Sequence, residues 1–221
     1  MPKLYIVATP IGNLEDRTFR VSRILKEVDL ILCEDMRVTK RLLDHYNIKT
    51  PLESYHQHSK IRKINYIVNL LKQGKNLALV SDSGTPGISD PGNKLVSILV
   101  NELLSNLEII PIPGPNAAIT AASISGFPMD KFVFLGFPPH KKGRQKFFKE
   151  VAEYKHPVIL YESPYRIIKT LKELGVLADF EVVIGRELTK KFETIYRGKI
   201  SEIINQINPR GEFTIIINNN L

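Results

Sequence analysis

Leu77-Ala78-Leu79-Val80-Ser81-Asp82-Ser83-Gly84-Thr85-Pro86-Gly87-Ile88-Ser89-Asp90-Pro91-Gly92 is the stretch on which the reading of this chain turns. Its opening apolar run, Leu77 to Val80, reads as a buried strand. Gly84, Pro86, Gly87, Pro91 and Gly92 then follow too densely for any regular helix. A strand therefore ends here and a structured loop begins. Helix resumes after Pro91, a residue suited to a first helical turn because its missing N–H costs nothing there. Such a junction lets the main chain approach a ligand closely and aims free N–H groups at it. The other reading is a plain strand-to-helix connection, but those usually need only a few residues.

The loop is not a phosphate-binding P-loop. Gly87 and Gly92 have the Walker spacing, but Asn93 precedes Lys94 and Leu95 follows it, so the lysine is displaced and no hydroxyl is set for magnesium. Two prolines and two aspartates also make a poor phosphate cradle. A ligand held by backbone contacts, with amine or hydroxyl groups facing Asp82 or Asp90, suits the loop better.

Outward from this loop the same pattern repeats. Leu4 to Ala8, Leu30 to Cys33, Pro51 to Ser54 and Ile109 to Ile112 read as strands. Between them come helices expected from Thr18 to Val28, Thr39 to Tyr46, Lys60 to Lys72 and Gly92 to Leu104. Ile64, Ile67, Val68 and Leu71 recur at helical spacing in the third of these. Pro113-Gly114-Pro115-Asn116 cannot belong to a regular element, so a domain boundary is expected there, giving domains 1–113 and 114–221. Beyond it comes a small-residue helix, Ala117 to Ser125. Strands are expected at Phe132 to Gly136, Val158 to Tyr161, Glu181 to Gly185 and Phe213 to Ile217. Alternating strands and helices through the fifth strand argue for an α/β fold with a largely parallel sheet, and the chain as a whole reads as two α/β domains. The Gly, Pro and charged clusters sit mainly after strands, the edge where open α/β sheets bind ligands, and two such domains would enclose a ligand cleft.

The composition is that of a globular protein, 43% hydrophobic and 24% charged, and the formal charge of +8 favours an anionic partner such as RNA. The single cysteine, Cys33, excludes an internal disulfide and reads as a core thiol. No apolar stretch is long enough for a membrane span and the N-terminus lacks a signal-peptide core, so a cytoplasmic protein without membrane contact is expected.

Several constellations could carry chemistry. Glu34, Asp35 and Arg37 follow the second strand and could orient a substrate hydroxyl, or form a surface salt bridge. His56-x-His58 has no evident further ligands, and no metal is expected. Lys141, Lys142 and Arg144 open a basic stretch that reads as an RNA-facing rim, or as a solvated helix face. No G-x-S-x-G elbow is present, which argues against a serine hydrolase. Glu162, Arg186, Glu187 and Lys190 lie just beyond strand ends. Among these charged groups Asp35, Glu187 and Lys190 are the candidates to receive or relay a proton, and Glu34, Arg37, Lys141, Lys142, Arg144, Glu162 and Arg186 to hold substrate.

ATPIGNLED (Ala8–Asp16), CEDMRVTKRLL (Cys33–Leu43), LVSDSGTPGISDPG (Leu79–Gly92), PIPGPNAA (Pro111–Ala118), YESPYR (Tyr161–Arg166) and GRELTKKFE (Gly185–Glu193) occur in that order. Together they resemble the tetrapyrrole-methylase superfamily, and within it the branch that 2′-O-methylates a cytidine in the decoding region of 16S rRNA. The resemblance covers almost the whole chain. It implies S-adenosylmethionine as methyl donor, contacting Pro10, Asp82, Gly87, Ile88 and Ser89, then Ala117 and Ala118, then Gly211, Glu212 and Phe213. It also implies a homodimer acting on 16S rRNA in the small ribosomal subunit. The branch commonly continues into a small helical extension past the last strand; this sequence stops at Leu221, so RNA affinity or orientation is expected to differ from that of longer members. Methylation of a tetrapyrrole precursor and RNA binding without catalysis are the alternative readings.

Overall fold

The computed structural model describes residues 1–56, 59–103 and 106–219. It divides into two compact units, Met1–Asn116 and Ala117–Leu221, each built on its own five-stranded sheet.

The first unit runs β1 (Lys3–Val7), α1 (Phe19–Glu27), β2 (Leu30–Cys33), α2 (Met36–His45), β3 (Leu52–Ser54), α3 (Ile61–Lys72), β4 (Leu77–Val80), α4 (Asn93–Leu103) and β5 (Glu108–Ile112). The strand order is β3-β2-β4-β1-β5 and every pair is parallel. β4 is central and buried along its length. Its side chains alternate between two cores, as the period of a strand requires. Leu77 and Leu79 pack with Ile64, Ile67 and Leu71 of α3 and Leu95 and Leu99 of α4. Ala78 and Val80 pack with Val21, Ile24 and Leu25 of α1 and Leu43 of α2. With helices on both faces, the unpatterned apolar run of β4 is what a doubly covered parallel strand needs.

The caps explain where the helices start. Thr18 accepts a hydrogen bond from the Val21 N–H and opens α1 as expected. α2 begins at Met36, three residues before the expected Thr39, because Asp35 is its N-cap. α4 begins at Asn93, so Pro91 lies in the turn ahead of the helix rather than in its first turn. The expected end of that helix, Leu104, lies outside the described residues, as does His58. Cys33 is fully buried, and burial pushes its thiol pKa up, as suits an unreactive core residue.

The second unit runs α5 (Ala117–Ser123), β6 (Val133–Gly136), α6 (Arg144–Glu153), β7 (Val158–Glu162), α7 (Ile167–Gly175), β8 (Glu181–Arg186), β9 (Thr194–Lys199), α8 (Ile200–Ile203) and β10 (Phe213–Asn218). Its sheet, β6-β7-β10-β8-β9, is mixed, unlike the parallel sheet of the first unit. β6 and β7 are parallel, but β10 runs antiparallel to β7 and β8, and β9 antiparallel to β8. β9 is also an addition to the expected strands. Its sequence, Thr-Ile-Tyr-Arg-Gly-Lys, is a half-exposed edge strand without an apolar run.

The reversal of β10 matters for the site. Its first residue, Phe213, pairs with both Glu162 and Arg186, the last residues of β7 and β8. The segment before β10 therefore sits at the edge where the parallel strands end. α5 packs on β7, β8 and β10, and burial of Ala118, Ala121 and Ala122 shows why its sequence is small. Among the described residues, no helix is long and apolar enough to cross a membrane.

Candidate functional site

At the carboxyl edge of the first sheet, the loop after β4 is sewn to the turn after β1. Thr9 and Gly84 exchange both backbone hydrogen bonds, at 2.9 and 3.1 Å. The Thr9 hydroxyl donates to the Ser81 carbonyl at 3.1 Å, and the Ser81 hydroxyl to the Gly84 carbonyl at 3.0 Å. Thr85 reaches the Pro115 carbonyl at 3.2 Å, which binds the turn after β5 to the same loop. Gly114 lets that turn close, since a Cβ there would lie 2.9 Å from the Ala8 Cβ. Pro10 and Ser81 are buried beneath this edge, while Gly87 is half-buried and Ile88 and Ser89 are exposed. Gly87 (φ 82°) and Ser89 (φ 61°) are both left-handed. The Asn93 amide donates to the Gly87 carbonyl at 2.8 Å and holds the bend.

Two carboxylates meet here in different states. Asp82 accepts the Asp35 N–H on Oδ1 at 3.0 Å, tying the end of β4 to the end of β2. Asp35 is itself engaged, capping α2 through the Arg37 N–H at 2.8 Å and pairing with the Arg37 guanidinium at 2.6 Å. The Arg37 contacts hold its carboxyl at about 2. So low a value disfavours Asp35 as a proton acceptor, and its side chain serves as the N-cap of α2. Glu34 differs: partial desolvation, then repulsion from Asp82, push its carboxyl pKa up, with His56 opposing.

In the second unit, several expected substrate-facing charges are internal. Glu162 is 1% exposed and Arg144 4%. The Glu162 carboxylate takes the Ser163 N–H at 2.7 Å, Arg166 at 2.9 Å and the Thr170 hydroxyl at 2.6 Å. Arg144 donates to Glu173, Thr170 and the Pro139 carbonyl and lies over the Phe148 ring. Both residues thus belong to a buried network joining α6, β7 and α7. Lys141 and Lys142 are exposed, as a rim requires. Arg186 is also buried; it donates to the Arg210 and Phe192 carbonyls and anchors the segments on either side of β8's end.

Glu187 and Thr189, just past β8, take left-handed φ values of 52° and 66°. Such strain in non-glycine residues persists only where surroundings hold it. Glu187 is held by the Glu212 N–H at 2.8 Å and by Lys190 at 3.1 Å, and Lys190 reaches Glu212 at 2.8 Å. Burial opposes the charge on Lys190, but Glu212 and Glu187 outweigh it and raise its pKa. For Glu187, desolvation is outweighed by the Glu212 N–H and Lys190, and its pKa falls. Lys190 is thus clamped between two carboxylates that favour its cationic form. Phe213 is buried in the core, Glu212 is exposed, and the Ala118 N–H is taken by the Tyr161 hydroxyl at 3.2 Å.

Residues 3–204 match the model of the tetrapyrrole (corrin/porphyrin) methylases. The chain belongs to this family. Among curated methylase relatives, it is 45% identical to the ribosomal RNA small subunit methyltransferase I of Thermotoga maritima, over 98% of each chain. It is 46% identical to the protein of that name in Halalkalibacterium halodurans, covering 98% of this chain and 76% of the relative. Among solved structures, the methyltransferase CobJ has a TM-score of 0.72 at 17% identity over 99% of this chain and 95% of its own. Uroporphyrin-III-C-methyltransferase from Thermus thermophilus has 0.65 at 15%, over 100% and 96%. These likenesses show the methylase fold.

Proposed function

We propose that this methylase transfers a methyl group from S-adenosylmethionine to the ribose 2′-hydroxyl of a cytidine in the decoding region of 16S rRNA. The observation that carries the reading is the likeness, over nearly the full chain at 45% identity, to proteins named ribosomal RNA small subunit methyltransferase I. The charge of +8 supports a polyanionic substrate.

The loop after β4 fits the donor in its chemistry. Residues 81–92 include Asp82 and Asp90 and no Lys or Arg, a set suited to hydroxyls, an amine and a sulfonium rather than a phosphate. S-adenosylmethionine supplies an already activated methyl group. We assign to it Pro10, Asp82, Gly87, Ile88 and Ser89 of the first unit, and Ala117, Ala118, Gly211, Glu212 and Phe213 of the second. The protein's task is then largely to position the ribose. Glu34 is the carboxylate we assign to receive the hydroxyl proton, because its pKa is raised where that of its neighbour Asp35 is lowered. Homodimerisation follows the same family resemblance and belongs to this proposal.

The test is incubation with S-adenosylmethionine and small ribosomal subunits lacking the modification, followed by mapping of 2′-O-methyl groups. One new 2′-O-methylcytidine in the decoding region is the expected result. Methylation of a tetrapyrrole precursor with no rRNA product would overturn it, as would RNA binding without transfer.

A further inference from the structure

After β6 the chain makes the turn 137–143 and enters α6, which packs against α7. There a cavity of about 480 Å³ is lined by His140, Lys141, Arg144, Lys146, Lys169 and Glu173. Its charges are unequal. Four cationic side chains face one carboxylate, and that carboxylate is already held by Arg144 at 2.7 Å, with Lys169 at 3.9 Å. The floor is rigid, because the Arg144 guanidinium is fixed by Glu173, Thr170 and the Pro139 carbonyl. Lys141, Lys146 and Lys169 are exposed and rise around it.

A second feature adds to this excess. Gly143 is the N-cap of α6, in a left-handed conformation (φ 82°), and has no side chain to cap the first turn. Gln145 and Lys146 of that turn are both in the lining. The positive end of α6, which lacks a side-chain cap, and three lysines therefore converge on one cavity.

We propose that this cavity binds a phosphodiester of the RNA backbone. The inference rests on the rRNA reading above and adds where the sugar-phosphate chain docks. Lysines are point charges on flexible stems, suited to phosphate positioning rather than base recognition. The cavity is open, with its lysines exposed, as a polymer passing through requires. Lys142, although exposed, is outside the lining.

The test compares Lys141→Gln/Lys146→Gln/Lys169→Gln with Lys26→Gln/Lys72→Gln/Lys155→Gln. Both triples change exposed lysines and remove equal charge. Binding of 16S rRNA is measured across a salt series, with circular dichroism confirming the fold. The cavity triple should bind about tenfold more weakly and lose about one unit of the log-affinity against log-salt slope, with the distant triple close to wild type. An unchanged slope in the cavity triple, or an equal change in both triples, overturns the inference and leaves the rRNA reading standing. A wild-type protein that binds no rRNA overturns both.

Discussion

The Asp82 carboxylate accepts the backbone N–H of Asp35 at 3.0 Å, so the loop after β4 is tied to the turn after β2. One oxygen of Asp82 thus has a structural task, while its charge remains available to a ligand at the same edge.

Asp82→Asn separates those two tasks. The amide oxygen can still accept the Asp35 N–H, but the negative charge is gone. S-adenosylmethionine affinity should fall about tenfold, since a hydrogen bond to a charged group contributes roughly 1.5–3 kcal/mol. The melting temperature should stay close to wild type. Calorimetry and a thermal melt on the same preparation check both.

Glu34 and Asp35 are neighbours in sequence with opposite expected behaviour. Glu34→Gln should slow single-turnover methylation by about a hundredfold with donor affinity kept, as loss of a general base does. Asp35→Asn should keep the rate. Asp35 is depressed from 3.8 to about 2, so its stabilising effect is present above 3.8 and is lost as pH falls through about 2. Asp35 is only half-buried, and solvent screening of its surface pair with Arg37 makes that acid loss small. Equal rate losses in the two variants would refute the assignment.

Glu162→Gln tests the buried network. Removing one partner of a buried ion pair leaves charges uncompensated and costs about 3–5 kcal/mol. Arg166 would lose its carboxylate, and Arg144 the farther of its two, keeping Glu173. A denaturant melt should show this loss, while donor affinity of the folded fraction stays near wild type. A stable variant with a specific loss of turnover would instead mark Glu162 as a catalytic group.

The first unit was legible because strands such as β2 and β4 are apolar runs and helices such as α1 and α3 carry apolar faces. β4 and α3 follow directly from such patterns. The second unit was less so. Nothing in Phe213–Asn218 encodes its direction, since an apolar run reads the same in a parallel or antiparallel ladder. β9 was missed because an edge strand with Arg197, Gly198 and Lys199 carries no burial signal. At the sites, Gly- and Pro-rich loops marked the right edges, but charge misled. Arg144 and Arg186 read as surface cations because such residues are rarely buried. A signal existed for Arg144: Thr170 and Glu173 lie three apart on one face of α7, and Arg144 donates to both. Asp35 read as an acid, although Asp followed by the α2 sequence is also a cap.

The contact of Gly211 with Glu187 yields the last prediction. Gly211 has φ 92°, and a Cβ there would lie 2.4–2.6 Å from the Glu187 side-chain atoms. Gly211→Ala must therefore displace Glu187 as well as strain the backbone, at a cost of about 1–3 kcal/mol. Displacing Glu187 frees Lys190 from one of its two carboxylates and loosens the left-handed turn at 187–189. Lys190→Met should loosen the same turn by another route, leaving Glu187 and Glu212 without their shared cation. If the clamp acts as a unit, the double variant should be little worse than the more damaging single one, a non-additivity of the kind seen within one network. The pH dependence has two sides. Lys190, raised above 10.5, contributes stability that is full below that value and lost as pH rises through its folded value. Glu187, lowered below 4.5, contributes stability present above that value and lost as pH falls through its folded one. Lys190→Met should thus abolish the alkaline loss that belongs to this clamp, and thermal melts from pH 9 to 11.5 provide the check. Additive losses in the double variant, with the alkaline profile unchanged, would show that Lys190 and Glu187 act separately.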